Sequence, residues 1–262
     1  MSQVRFAFNK ASNNYNDYAF LQKEIAVRLD QKLNIISSKA DIILDLGAGT
    51  GLLSQQLTKR FSNSKIICLD FAQQSLKYNP SSSKICANAN YLPLPDNSVD
   101  MITSNLMMQW CQNLNILFSE CFRVLKNNGL ILFSTFGPDT LKELKKSWSI
   151  VDDKTHVNTF IDMHNIGDQM LQNGFQNPVM EMETLTLTYQ TVIDLLRDLK
   201  AIGAQTVAKR SKSLTGKDKF QLMIRMYESY KNNGKLPATY EVIYGHAWKK
   251  TTGVNNITLE SQ

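Results

Sequence analysis

Apolar positions along this chain follow two alternating periods. From 16 to 34 (NDYAFLQKEIAVRLDQKLN) they fall at Phe20, Leu21, Ile25, Leu29 and Leu33, a helix spacing. ADIILDL (40–46) is a continuous apolar run of strand length, and GTGLLSQQLTKRF (49–61) returns to a helix. KIICLD (65–70) predicts a second strand, FAQQSLKY (71–78) a short helix and KICANA (84–89) a third strand. The turn-rich PLPDN leads into a fourth strand, SVDMITSNL (98–106). NILFSECFRVLKNNG (115–129) predicts a helix stopped by Gly129, and LILFSTF (130–136) a fifth strand. Strands alternating with helices predict an α/β fold with a parallel, doubly wound sheet over 40–136.

Further on, GPDTLKELKKSW (137–148) predicts a helix with a capping box from Thr140 to Glu143. IDMHNIGDQMLQNGF (161–175) predicts another, closed by Gly174. PVMEMETLTLTY (178–189) alternates as a long sixth strand, with Met180, Met182, Thr184 and Thr186 on one face. TVIDLLRDLKAIGA (191–204) and KDKFQLMIRMYESYKNNG (217–234) are helical, and ATYEVIYGHAW (238–248) is a seventh strand, expected antiparallel to the sixth at the sheet edge. The pattern predicts one domain over 1–250 with a helical cap at 1–35, a core at 40–136 and a helical insertion at 188–236. A polar tail, 251–262, follows.

Composition narrows the class. The 262 residues are 43% hydrophobic and 20% charged, as in ordinary globular proteins. No window holds ~18 uninterrupted apolar residues, so no membrane span is expected. The opening residues lack the apolar core of a signal peptide, and a cytoplasmic location is expected. Cys68, Cys86, Cys111 and Cys121 form no CxxC pair and are read as buried free thiols. His156, His164 and His246 are too dispersed for a metal cluster; no metal is expected, and His246 is read as structural.

Candidate chemistry begins at LDLGAGTG (44–51), directly after the first strand. In a doubly wound sheet, ligands bind beyond the carboxyl ends of the strands. The spacing is GxGxG rather than the dinucleotide GxGxxG, and no lysine follows as in a P-loop. Asp45, just before the glycines, would repel a pyrophosphate and suits a cationic group instead. Asp70 closes the second strand, where an acid accepts from ribose hydroxyls. A nucleoside bearing a cationic amino-acid end, S-adenosylmethionine, meets all these features.

LDLGAGTG, LDFA, NANYLPLPDNSVD, SNLMMQW and CFRVLKNNGLILFSTFGPDTLKEL together resemble the class I S-adenosylmethionine-dependent methyltransferases. The segments FNKASNNYNDYAFLQ, HVNTFIDMHNIGDQMLQNGF, TLTYQTVIDLLRDLKAIGAQ, LTGK and LPATYEVIYGHAW are similar to the malonyl-acyl-carrier-protein O-methyltransferases of biotin synthesis. That resemblance implies a Rossmann-like, seven-stranded, mostly parallel sheet with an antiparallel last strand. It implies a cofactor site in which Asp45, Gly47, Ala48, Gly49 and Gly51 cradle the methionyl part and Asp70 takes the ribose. Phe71, Asn88, Ala89 and Leu106 would surround the adenine and sulfonium. Asn88 stands where relatives usually carry Asp, and Ala48 replaces a frequent Cys.

The implied reaction converts a malonyl thioester's free carboxylate to its methyl ester, with S-adenosylhomocysteine as the second product. A carboxylate with pKa ~4 is already ionised at neutral pH, so no general base is required. Tyr18, Gln109 and Trp110 are the candidate catalytic donors. Tyr15, His156 and Asn158 are candidates for substrate binding, with His164 beside them. Tyr15 and Tyr18 could instead anchor the cap, Trp110 could be packing, and either histidine could be structural. The cap is expected to close over bound cofactor.

Net charge is +6, and much of it lies in RDLKAIGAQTVAKRSKSLTGKDK (197–219). Arg197, Lys200, Lys209 and Arg210 there are candidates for docking an acidic acyl-carrier protein that bears malonyl-phosphopantetheine; a solvated helix face is the alternative. No nucleic-acid partner is expected, since neither an Asn-Pro-Pro-Tyr nor a Pro-Cys motif is present. Two other readings remain open: an assembly-factor-type enzyme acting on a protein arginine, and a non-catalytic S-adenosylmethionine-binding scaffold.

Overall fold

The computed structural model describes residues 2–36, 39–204 and 216–250. Its strands are β1 (Ile42–Leu46), β2 (Lys65–Asp70), β3 (Lys84–Cys86), β4 (Val99–Asn105), β5 (Leu125–Phe136), β6 (Gln176–Tyr189) and β7 (Leu236–Trp248). They form one seven-stranded sheet in the order β3-β2-β1-β4-β5-β7-β6. The pairs β1–β2, β1–β4, β2–β3 and β4–β5 are parallel, and β7 runs antiparallel between β5 and β6. Strand order reverses at β1, which opens a crevice beyond the carboxyl ends of β1 and β4.

The central strands read as continuously apolar because both faces of the sheet are covered. Ile43, Met101, Leu130 and Leu132 enter one core; Leu44, Ile102, Ile131 and Phe133, each one residue along, enter the other. Helices α3 (Phe20–Lys32) and α4 (Leu52–Arg60) cover the first face, joined by α7 (Lys142–Ser149) and α10 (Lys217–Glu228). Helices α6 (Leu114–Val124) and α8 (Met163–Gln172) cover the second. The cap adds α1 (Ser2–Ala11) and α2 (Tyr15–Tyr18); α5 (Gln73–Tyr78) follows β2, and α9 (Val192–Ala201) follows β6.

Four local expectations are corrected. The helix over 16–34 breaks at Ala19, whose ψ of 43° leaves the helical region, so α2 and α3 are separate. Leu21, Ile25, Leu29 and Leu33 are buried as expected, but Phe20 is exposed. Gly129 does not stop a helix: α6 ends at Val124 and the chain passes directly into β5. Gly129 is needed there because a Cβ would stand 2.8 Å from the Lys126 carbonyl oxygen. The Thr140–Glu143 capping box does not form, because both side chains bond to β7 instead. Thr140 Oγ1 donates to the Glu241 carbonyl (3.0 Å), and the buried Glu143 carboxylate accepts from the backbone N–H (3.1 Å) and hydroxyl of Thr239. A capping box does close on α9, between Thr191 and Asp194. Gly174 ends α8 with φ +89°, as expected.

All four cysteines are free; Cys68 and Cys121 are buried, Cys111 is half-buried, and Cys86, on the edge strand β3, is exposed against expectation. Lys249 is an unexpected anchor. Its buried ammonium donates to the carbonyls of Phe122 (2.7 Å) and Leu125 (2.8 Å) and to Asn97 Oδ1 (2.8 Å). It thereby satisfies carbonyls that the end of α6 leaves open. No helix among the described residues is long and apolar enough to cross a membrane, and no group of three metal-ligating side chains occurs among them.

Candidate active site

After β1 the backbone turns through three left-handed glycines, Gly47 (φ +77°), Gly49 (+51°) and Gly51 (+92°), before α4 begins. The N–H groups of Gly47 and Ala48 donate to the Leu69 carbonyl at 2.8 and 3.0 Å, which ties the turn to β2. Gly47 is sterically required: a Cβ there would stand 2.3 Å from Met107 Cγ.

Two carboxylates flank the turn. Asp45 is buried, one oxygen accepts a short hydrogen bond from the Ser54 hydroxyl, and Oδ1 is buried without a partner. Burial pushes its pKa up to about 7; Ser54 opposes this and Asp70 adds to it. Asp70 accepts from the N–H of Gly49 (2.9 Å) and of Ala72 (2.7 Å), and burial pushes it up to about 6 against those bonds.

Cavities occupy the crevice. One is lined by Gly47, Gly49, Leu69, Asp70, Phe71, Ala87, Asn88, Ala89, Asn105 and Leu106, with Met107 and Cys111 at one side. A small recess adjoining it is lined by Asp45, Gly47, Ala48, Gly49 and Asn105. A larger chamber of about 420 Å³ lies on the other side, beneath α7, α9 and α10. Phe8, Tyr15, Leu106 and Trp110 line both the first cavity and the chamber, and Tyr15 reaches the recess as well.

This lining fits S-adenosylmethionine. Asp45 Oδ1 lacks the donor that a buried carboxylate oxygen requires, and an ammonium is such a donor. Asp70 has remaining lone pairs for ribose hydroxyls, and the apolar slot of Leu69, Phe71 and Ala87 suits a flat base.

Residues 44–133 match a family described as a methyltransferase domain. The whole chain is similar to malonyl-[acyl-carrier protein] O-methyltransferases. One, from Gallionella capsiferriformans, is 45% identical, with 96% of this chain and 92% of that protein covered. Another, from Coxiella burnetii, is 44% identical, with 94% and 86% covered.

The chain belongs to this family.

It is a methyltransferase that uses S-adenosylmethionine. Solved structures share its fold at low identity. A Thermotoga maritima S-adenosylmethionine-dependent methyltransferase aligns with a TM-score of 0.58 at 15% identity, covering 94% of this chain and 100% of that one. A Haloferax volcanii methyltransferase solved with its Trm112 activator aligns at 0.60 and 13%, covering 95% and 99%.

The expected cofactor residues Asp45, Gly47, Ala48, Gly49, Asp70, Phe71, Asn88, Ala89 and Leu106 come together around the first cavity and its recess. Gly51 lines neither and shapes the turn; a Cβ there would press on Asn79 and Pro80 at 3.0 Å. Asn88 Oδ1 already accepts from the Asn90 N–H (3.1 Å), which makes a local turn and leaves its second lone pair and its amide for a base edge.

Of the expected acceptor-side residues, Tyr15, Gln109, Trp110, His156, Asn158 and Lys200 line the chamber of the enzyme. Tyr18 lines none of these cavities. Gln109 is tied within the protein. Its amide donates to the Leu106 carbonyl (2.6 Å) and accepts from Thr135 (3.2 Å), which braces Leu106 at its positive φ of 50°. Arg197 is exposed and paired with Asp194 (2.7 Å), away from the chamber lining. His164 is an exposed residue paired with Asp162 (2.8 Å). His246 is half-buried on β7 and lines none of these cavities. Lys209 and Arg210, and the tail 251–262, lie outside the described residues.

Phe8 is the main residue that sequence reasoning missed. It meets Trp110 edge-on at 5.2 Å and Phe71 at 6.4 Å, so α1 covers the junction between the cavities. The only signal was its place within FNKASNNYNDY, which carries no period of its own.

Proposed function

We propose that this enzyme methylates the free carboxylate of a malonyl group carried on an acyl-carrier protein, giving the methyl ester. The observation that carries this reading is the junction: the cavity beside the glycine turn and Asp70 adjoins, at Tyr15 and Trp110, a chamber lined mainly by apolar side chains. When bound, S-adenosylmethionine supplies an electrophilic methyl group on a sulfonium.

The chain's own residues have three tasks. Asp45 holds the ammonium end of the cofactor and Asp70 its ribose. Phe8, Trp110 and Leu106 exclude water where the cavities meet, which removes the hydration that would blunt a carboxylate nucleophile. The Tyr15 side chain sits at that meeting point, and burial, reinforced by Asp70, raises its pKa, so it acts as a neutral donor that orients. No proton has to be removed, because a carboxylate of pKa ~4 is ionised at neutral pH.

Esterification removes a charge that apolar acyl-processing sites would exclude. The carrier would dock near Lys200 and the basic run that begins at α9.

Mass spectrometry of malonyl-acyl-carrier protein incubated with enzyme and S-adenosylmethionine tests the proposal. A gain of one methylene mass on the malonyl group is expected. No gain, with S-adenosylhomocysteine still bound in calorimetry, would move the activity to another acceptor.

A further inference from the structure

Beside the chamber, four side chains from α7, the following loop and α10 form one assembly. The His156 ring lies flat on the Trp148 indole, with centroids 3.7 Å apart and planes 8° from parallel. His156 Nε2 is 2.8 Å from Asp152 Oδ1. The other oxygen of Asp152 accepts from Lys219 at 3.1 Å, and its Oδ1 also accepts from the Lys154 N–H at 3.1 Å. The His156 and Asp152 side chains are only 15% and 12% exposed, and both His156 and Trp148 line the chamber. An exposed surface pair would not be fixed from this many directions.

The bond to Asp152 decides what the ring can offer a ligand. An ionised carboxylate only accepts, so Nε2 must carry a proton and donate it. Asp152 is held below the usual carboxylate range, first by its hydrogen bond to His156 and then by Lys219 and the Lys154 N–H. Nδ1 has no hydrogen bond to a described residue. On the neutral ring Nδ1 would be a bare acceptor, which repels a carboxylate. On the imidazolium it is a charged donor.

We propose that His156, positioned by Asp152 and Trp148, binds the acceptor's carboxylate as an imidazolium, so that acceptor binding is coupled to uptake of a proton. This rests on the carboxyl-methylation reading. A single donor to one carboxylate oxygen leaves the other free to attack, which a bidentate clamp would not. The charged groups facing His156 are Asp152 from its own segment and, through it, Lys219 from α10. Lys200 from α9 lines the same chamber. Glu143 on α7 is bonded to Thr239.

Steady-state methylation of malonyl-acyl-carrier protein by wild-type enzyme and His156→Gln, between about pH 5.5 and pH 8.5, tests the coupling. Wild-type KM is expected to rise with pH, approaching about tenfold per pH unit where one proton is taken up per acceptor bound. His156→Gln should have a raised KM at low pH and a flat profile. Asp152→Asn, which keeps the size of its parent, should raise KM at low pH and leave kcat within about threefold.

Calorimetry in two buffers of different ionisation enthalpy gives a second readout, on enzyme saturated with S-adenosylhomocysteine. Proton uptake is expected with malonyl-carrier protein and wild-type enzyme, and none with acetyl-carrier protein or with His156→Gln. Methylation with a flat wild-type KM and no proton uptake overturns the role of His156 and leaves the proposed reaction standing. A KM that falls as pH rises also overturns it, since that would make Nδ1 an acceptor. Absence of methylation at every pH counts against the reaction itself.

Discussion

The Ser54 hydroxyl donates a short hydrogen bond to one oxygen of Asp45 and leaves the other oxygen buried without a partner. The cofactor-free enzyme therefore holds an acid whose pKa, about 7, lies well above the value near 4 of an unfolded chain. Between those values the native state binds more protons than the unfolded state, so the stability of the free enzyme falls as pH rises through this window. An ammonium at Oδ1 reverses the shift. The rise in Tm produced by S-adenosylhomocysteine should therefore be larger at pH 8 than at pH 6. Asp45→Asn should flatten that difference and weaken binding by about tenfold or more. Thermal scans at several pH values, with and without ligand, check both.

Gly47→Ala places a methyl group against Met107 and forces a left-handed residue to carry a Cβ. A loss of roughly 1–3 kcal/mol in stability is expected, with cofactor affinity reduced further because the turn must shift. Adding Met107→Ala removes Cγ but keeps the Met107 Cβ that stands 2.4 Å from the new methyl, so clash and backbone strain both remain and the double variant should recover little stability. Urea unfolding of the single and double variants checks this.

The cap is held to the cofactor half by asparagines. Asn9 Oδ1 accepts from the Gln74 N–H (2.9 Å), Asn13 Oδ1 from the Tyr78 hydroxyl (2.9 Å) and Asn16 Oδ1 from Thr50 Oγ1 (2.7 Å). At roughly 1 kcal/mol each, their joint replacement by alanine should free α1 without unfolding the sheet. Trypsin should then cut sooner at Arg5 and Lys10, and S-adenosylhomocysteine should protect less. Unchanged cleavage would show that Phe8 on Trp110 suffices to hold the cap.

Lys249→Met should destabilise the enzyme by about 1–3 kcal/mol, because it strips a donor from carbonyls at the end of α6 and from Asn97. The residue is remote from the lining of the cavities, so kcat per folded molecule should be unchanged. Chemical denaturation and an assay corrected for the folded fraction check this.

The sequence by itself determined the doubly wound sheet, its edge strands and the cofactor turn. Those features are local: continuous apolar runs where a strand is buried on both faces, glycines where φ must be positive, and acids at the ends of β1 and β2. The same local rules misled where a distant strand competed. Thr140 and Glu143 spell a capping box, but β7, some hundred residues later, offers them backbone partners inside the core. Gly129 resembles a helix stop, yet its constraint is contact with neighbouring backbone as the chain enters β5. Tyr15 and Tyr18 are both candidates in the sequence, and only the tertiary structure places Tyr15 in the cavity lining and Tyr18 outside it. The chamber beside the cofactor turn belongs wholly to tertiary structure. Phe8, Tyr15, Trp110, His156 and Lys200 come from separate elements, and no period or spacing along the chain records that they share one wall.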